Sequence, residues 1–112
     1  MKIYADKRML ASGLVGGTLS RHSGNMRDII NQTAALQELG LDTTRILRFH
    51  QVHGDTILSI HSPQQAQAVL AQPLQDADGW VFSPMVSGWG AAIVTADCVP
   101  LFIWDTAGTY VA

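Results

Sequence analysis

The chain has one cysteine, Cys98, so no internal disulfide can form and no disulfide framework organises the fold. No apolar run approaches the roughly 18 residues of a membrane-spanning helix. Lysine and arginine disappear after Arg48: all seven basic residues precede position 51. Charged residues are only 14% of the total and the net charge is −2, which excludes a general electrostatic affinity for nucleic acid or acidic lipid. The opening residues Lys2, Asp6, Lys7 and Arg8 put charge where a secretion signal needs its apolar stretch. These absences lead to the expectation of a soluble, cytoplasmic protein of a reducing compartment, with neither a nucleic-acid nor a membrane partner.

What is present is a 112-residue chain with 47% hydrophobic residues. That suits one domain with a modest core and argues against disorder. Charge is distributed unevenly. Residues 1–50 hold four acids against seven bases, whereas 51–112 hold five aspartates and no base. A phosphate bound here must therefore rely on the first half, on backbone amides or on another chain. Arg21, Arg27, Arg45 and Arg48 are the available basic anchors.

Residue patterns suggest the elements. Lys2–Ala5 reads as a short strand, and 11–25 as a turn-rich loop or irregular hairpin with Gly16-Gly17 at its centre. The spacing of Ile29, Ile30, Thr33, Leu36 and Leu39 predicts a helix from about Arg27 to Leu39, capped by Asn25, stopped by Gly40, its stripe in the core. Strands are expected over Arg45–Val52, Thr56–Ile60, Gly79–Phe82, Ala91–Thr95 and Leu101–Trp104. Ser62-Pro63 opens a further helix with Ala66, Val69 and Leu70 on its apolar side. Thr109–Ala112 looks like a strand in progress, its backbone left unpaired. Trp80, Trp89 and Trp104 suit packing better than a stacking platform, which would need a basic groove.

Two segments hold most of the chemistry: Gln51-Val52-His53-Gly54-Asp55 and Thr95-Ala96-Asp97-Cys98-Val99-Pro100. Each places a metal-capable side chain at an expected strand end, where scaffolds present functional groups. His53 can equally be a structural hydrogen-bonder, and Cys98 a small buried hydrophobe. His50 and His53, three apart, face opposite sides of a strand unless it breaks between them. Asp76-Ala77-Asp78-Gly79 reads as a carboxylate-bearing turn that lacks the ladder of a calcium loop.

Taken in order, Gln51-Val52-His53-Gly54, Ala77-Asp78-Gly79 and Thr95-Ala96-Asp97-Cys98-Val99-Pro100-Leu101 resemble the motif series of the laccase-domain family. That family, also described as polyphenol-oxidase-like, is read as purine nucleoside phosphorylases and includes a peptidoglycan editing factor branch. Gly16-Gly17-Thr18-Leu19-Ser20, His22-Ser23-Gly24-Asn25 and Asn31-Gln32 extend the resemblance upstream. Leu14 stands where the family usually has arginine. The resemblance implies an α+β fold of mixed β-sheets flanked by helices, with 1–112 as the N-terminal portion of a single laccase-like domain.

It also implies a zinc site with His53 and Cys98 as two of three protein ligands. The third would be a histidine in a His-Ala-Gly-Trp-Arg-Gly motif expected shortly beyond Ala112. Asp97, beside the ligand cysteine, would orient it or move a proton, or else cap a turn. The expected partners are a purine nucleoside and phosphate, cleaved by phosphorolysis, with adenosine deamination alongside. Copper is not favoured, because one cysteine and four histidines without a His-x-His pair cannot build a multicopper cluster. Two other readings stay open: a cysteine hydrolase pairing Cys98 with His53, and an inactive truncated or partner-dependent fragment.

Overall fold

The computed structural model describes residues 3–5, 7–19, 24–95, 99–105, 107 and 110–112. They form the expected α+β arrangement of short sheets and helices, in two compact units: Met1–Thr43 with Thr106–Gly108, and Thr44–Asp105 with Thr109–Ala112.

In the first unit, β1 (Ile3–Ala5) pairs antiparallel with β2 (Gly17–Leu19), Tyr4 opposite Thr18. Between them lies α1 (Lys7–Ala11), a helix the apolar pattern did not announce, with Met9 buried. α2 covers Ile29–Glu38, two residues shorter at its start than predicted. Its N-cap is Asp28, whose Oδ1 accepts from the Ile30 N–H at 2.9 Å. Asn25 instead accepts from the Arg27 N–H in the preceding turn. Asp28 wins because its carboxylate both bonds an orphan amide and complements the positive end of the helix dipole.

Both helices end in the same way. The Leu14 N–H reaches Met9 O and the Gly13 N–H reaches Leu10 O, while Leu41 and Gly40 do the same with Leu36 and Gln37. This paired closure needs a left-handed residue, and Gly13 (φ 79°) and Gly40 (φ 77°) provide it without a Cβ clash. The predicted core stripe of α2 is only partly buried. Of the stripe Leu36 is inside, with Ala35 beside it in sequence, but Ile29 and Ile30 are 54% and 76% exposed. The buried polar residue Gln32 donates through Nε2 to Met26 O, which satisfies it.

The second unit is a crossover. β4 (Ile57–Ile60), α3 (Pro63–Ala71) and β5 (Gly79–Phe82) follow in order, with β4 and β5 parallel and in register from Ile57–Gly79 to Ile60–Phe82. Parallel neighbours need a connection of about a dozen residues or more, and α3 supplies it. Gly79 leaves room for Ile57, whose Cδ1 lies 2.5 Å from where a Cβ would sit. α3 starts as predicted, with Ser62 Oγ accepting from the Gln65 N–H, Pro63 in the first turn and the Gln65 side chain reaching back to the His61 N–H. Leu47, Phe49, Ile60, Ala66, Ala77, Phe82 and Val86 form the core, with Val69, Leu70, Trp80 and Trp89 packed against it.

Three expected strands are shorter than their apolar content suggested. Arg45–Val52 contains only β3 (Ile46–Leu47) and an isolated parallel bridge between His50 and Asp76. Ala91–Thr95 contributes to β6 (Gly90–Ala91), which pairs parallel with β3, and is irregular thereafter. Leu101–Trp104 is represented by a bridge from Trp104 to Val111. The closing residues are better paired than expected: Val111 exchanges backbone bonds with Phe82, and Ala112 with Ile103. Backbone groups that lose water need partners, and the edge of β5 offers them. Among the described residues no helix is long and apolar enough to cross a membrane.

Candidate functional site

The segment after β3 is built by its partners rather than by its own pattern. The His50 N–H donates to Gln75 O at 2.8 Å, and His50 O accepts from the Ala77 N–H at 3.1 Å. The chain then leaves the ladder and turns. His53 adopts φ 57°, an uncommon left-handed conformation for a residue with a Cβ. The strand thus breaks between His50 and His53, the condition under which their side chains escape strict alternation.

This turn aims three successive amides at one carboxylate. Asp78 Oδ1 accepts from Val52 N–H at 3.1 Å and His53 N–H at 3.0 Å; Oδ2 accepts from Gly54 N–H at 2.7 Å. Consecutive backbone donors of this kind make an anion-binding concavity, and hydrogen bonds to an ionised acceptor are the stronger kind. The Gly54 bond is the main reason that the Asp78 carboxyl lies below its ordinary range. Partial burial opposes it; the His53 and Val52 amides and the nearby His53 charge add to it. Asp78 is itself anchored at the head of β5, where its N–H donates to Thr56 O at 3.1 Å.

Gln51 makes the second fastening. Its Nε2 donates to Val94 O at 2.7 Å, and its Oε1 accepts from the Val94 N–H at 2.8 Å. One side-chain amide thus imitates a β-bridge and joins the His53 turn to the segment that runs into Thr95. A third contact, His50 Nδ1 to Asp76 Oδ1 at 2.8 Å, is an exposed pair whose worth is small.

Of the sequence-predicted site residues, His53 is placed on this turn with its side chain exposed. Asp97 and Cys98 lie outside the described residues, as do Arg21 and His22. His61 is exposed, as are Arg27 and Arg45, while Arg48 is half-buried and its guanidinium pKa is lowered by desolvation. Among the described residues no group of three or more His, Cys, Asp or Glu side chains is arranged to hold a metal ion. Sequence reasoning passed over Gln51 and Asp78 as individual actors. The signal was there: both sit inside motifs of the resemblance, and Asp78 directly precedes a glycine that begins a strand.

The architecture is a small α+β fold that presents His53 from an irregular turn next to parallel strands. A model of the family described as multi-copper polyphenol oxidoreductase laccase matches residues 17–112. The chain belongs to that family. No match was found among curated proteins or among solved structures.

Proposed function

We propose that this chain carries the His53 and Cys98 portion of a zinc-dependent purine nucleoside phosphorylase site. The observation that supports it best is the pair of bonds between Gln51 and Val94, which ties the first ligand motif to the segment leading into the second. The donor chemistry suits zinc, since imidazole and thiolate are its usual ligands and an exposed turn leaves His53 open to solvent. A catalytic zinc takes three protein ligands, so the reading requires a third donor from a His-Ala-Gly-Trp-Arg-Gly segment or from a second copy. When bound, zinc supplies a water whose pKa falls to about 7.

The protein's own contributions follow from its residues. His53 and Cys98 hold the metal, the latter as thiolate. Asp97 orients the ligand cysteine or accepts a proton. Phosphate, an anion, is drawn to the arginines of the first half, with purine nucleosides such as adenosine or inosine as the substrates. The family's description names copper. The single cysteine and the absence of a His-x-His pair favour zinc.

The test is zinc uptake and phosphate-dependent inosine cleavage, measured for the 112-residue chain and for the chain extended by the third motif. The expected result is weak zinc binding that His53→Ala and Cys98→Ala each abolish, and cleavage only after extension. Zinc binding indifferent to both substitutions overturns the reading. Metal-free turnover that depends on Cys98 replaces it with a cysteine hydrolase.

A further inference from the structure

The geometry points to Asp78 and Gln51 as positioning residues for His53: Asp78 sets the left-handed turn that presents the imidazole, and Gln51 fastens that turn to the segment ending at Thr95. The consequence for metal binding rests on the zinc-ligand reading of His53; the positioning itself does not.

A left-handed conformation at a residue with a Cβ is unfavourable and persists only where surroundings over-determine it. Here the surroundings are one carboxylate that receives the amides of Val52, His53 and Gly54. Removing that acceptor leaves three donors with nothing but water and releases the φ of 57°. Asp78 can hold the turn because it does not itself move: Ala77 before it is fully buried, and its own N–H is bonded to Thr56. Neither Asp78 nor Gln51 needs to touch a metal or a substrate. Each acts through the backbone that carries His53, as groups that orient metal ligands do elsewhere.

Asparagine at position 78 has nearly the shape of aspartate, but one of its terminal atoms is a donor. It must face at least one of the three amides donor to donor. Glutamate keeps the carboxylate and overshoots by one methylene. Glutamate at position 51 loses the donor that Val94 O requires. The three substitutions thus separate charge, reach and the second fastening.

The experiment is amide NMR on the 112-residue chain, with zinc titrations in parallel. In the unaltered protein the Val52, His53 and Gly54 amide protons should be protected together from exchange with solvent. Asp78→Asn should weaken that protection and shift the His53 amide–α coupling constant away from its left-handed value, while Ile60 and Phe82 resonances stay in place. Asp78→Glu should restore both in part. Gln51→Glu keeps an acceptor for the Val94 N–H but sets a carboxylate oxygen against Val94 O, a repulsion that should push the side chain away and speed exchange of the Val94 amide. Zinc affinity should fall about 10- to 100-fold in Asp78→Asn and partly recover in Asp78→Glu. A His53 coupling and amide protection unchanged by Asp78→Asn overturn the proposal. If His53→Ala leaves zinc binding intact, the metal reading fails instead, and the coupling constant still decides the positioning role.

Discussion

α2 and the turn from Gln51 to Asp55 are both held by hydrogen bonds more than by burial, but the bonds have opposite reach. Around α2 the fastenings are local: Asp28 to Ile30, Asn25 to Arg27, Gln32 to Met26, Gly40 to Gln37 and Leu41 to Leu36. Around the turn they span the unit: Asp78 bonds residues 24 to 26 positions away, and Gln51 bonds one 43 away. A locally closed element can form early and tolerate an exposed side such as Ile29 and Ile30. A turn closed from a distance exists only once β5 and the segment before Thr95 are in place. That dependence makes it a precise mount for the His53 side chain, and a vulnerable one.

The largest stability effect should come from breaking the core on which the distant partners stand. Ile60 is only 1% exposed and pairs with Phe82 at the end of the β4–β5 ladder. Ile60→Ala should cost about 2–5 kcal/mol in a urea unfolding curve. It should also loosen the His53 turn, because Asp78 heads the same strand. Ile30→Ala, on the exposed side of α2, should stay within about 0.5 kcal/mol in the same measurement. Equal effects would erase the contrast between the two regions.

Next come the caps. Ser62→Ala at α3 and Asp28→Ala at α2 should each cost about 1 kcal/mol, measured by thermal or denaturant unfolding. The consequences should differ in extent. Loss at Ser62 propagates to the core through Ala66, whereas loss at Asp28 frays a locally closed helix, seen as faster amide exchange confined to residues 29–32.

The finest effect is on pH. Asp78 has a folded-state pKa below its ordinary value, so its contribution is fully present above the unfolded value near 3.9 and is lost as pH falls through the folded one. Between about pH 5 and 8 this group should leave stability unchanged. Acidification below about pH 4 should release the Val52, His53 and Gly54 amides to exchange before α2 opens. An α2 that opens first would reverse the comparison.

The segments of the candidate site could be named from the sequence. The succession Gln-Val-His-Gly, Ala-Asp-Gly, Ala-Asp-Cys marked the segments, and the family match over residues 17–112 bears out the membership it implied. The individual jobs of Gln51 and Asp78 could not be read. A glutamine beside a histidine looks like a polar loop residue, and an aspartate before a glycine like a turn residue, until the chain brings their partners across.

The amino-acid sequence by itself determined what depends on neighbours a few residues apart. The stop at Gly40, the cap at Ser62 with Pro63 behind it, and the strands from Ile57 and Gly79 belong here, since backbone conformation and short-range bonds select them. Tertiary structure alone decided how far β3 extends, which side of α2 is covered, and that His53 turns left-handed under Asp78. Each of those outcomes turns on a hydrogen-bond or packing partner distant in sequence, and pairing over such distances is settled by which groups lose water together when the chain closes.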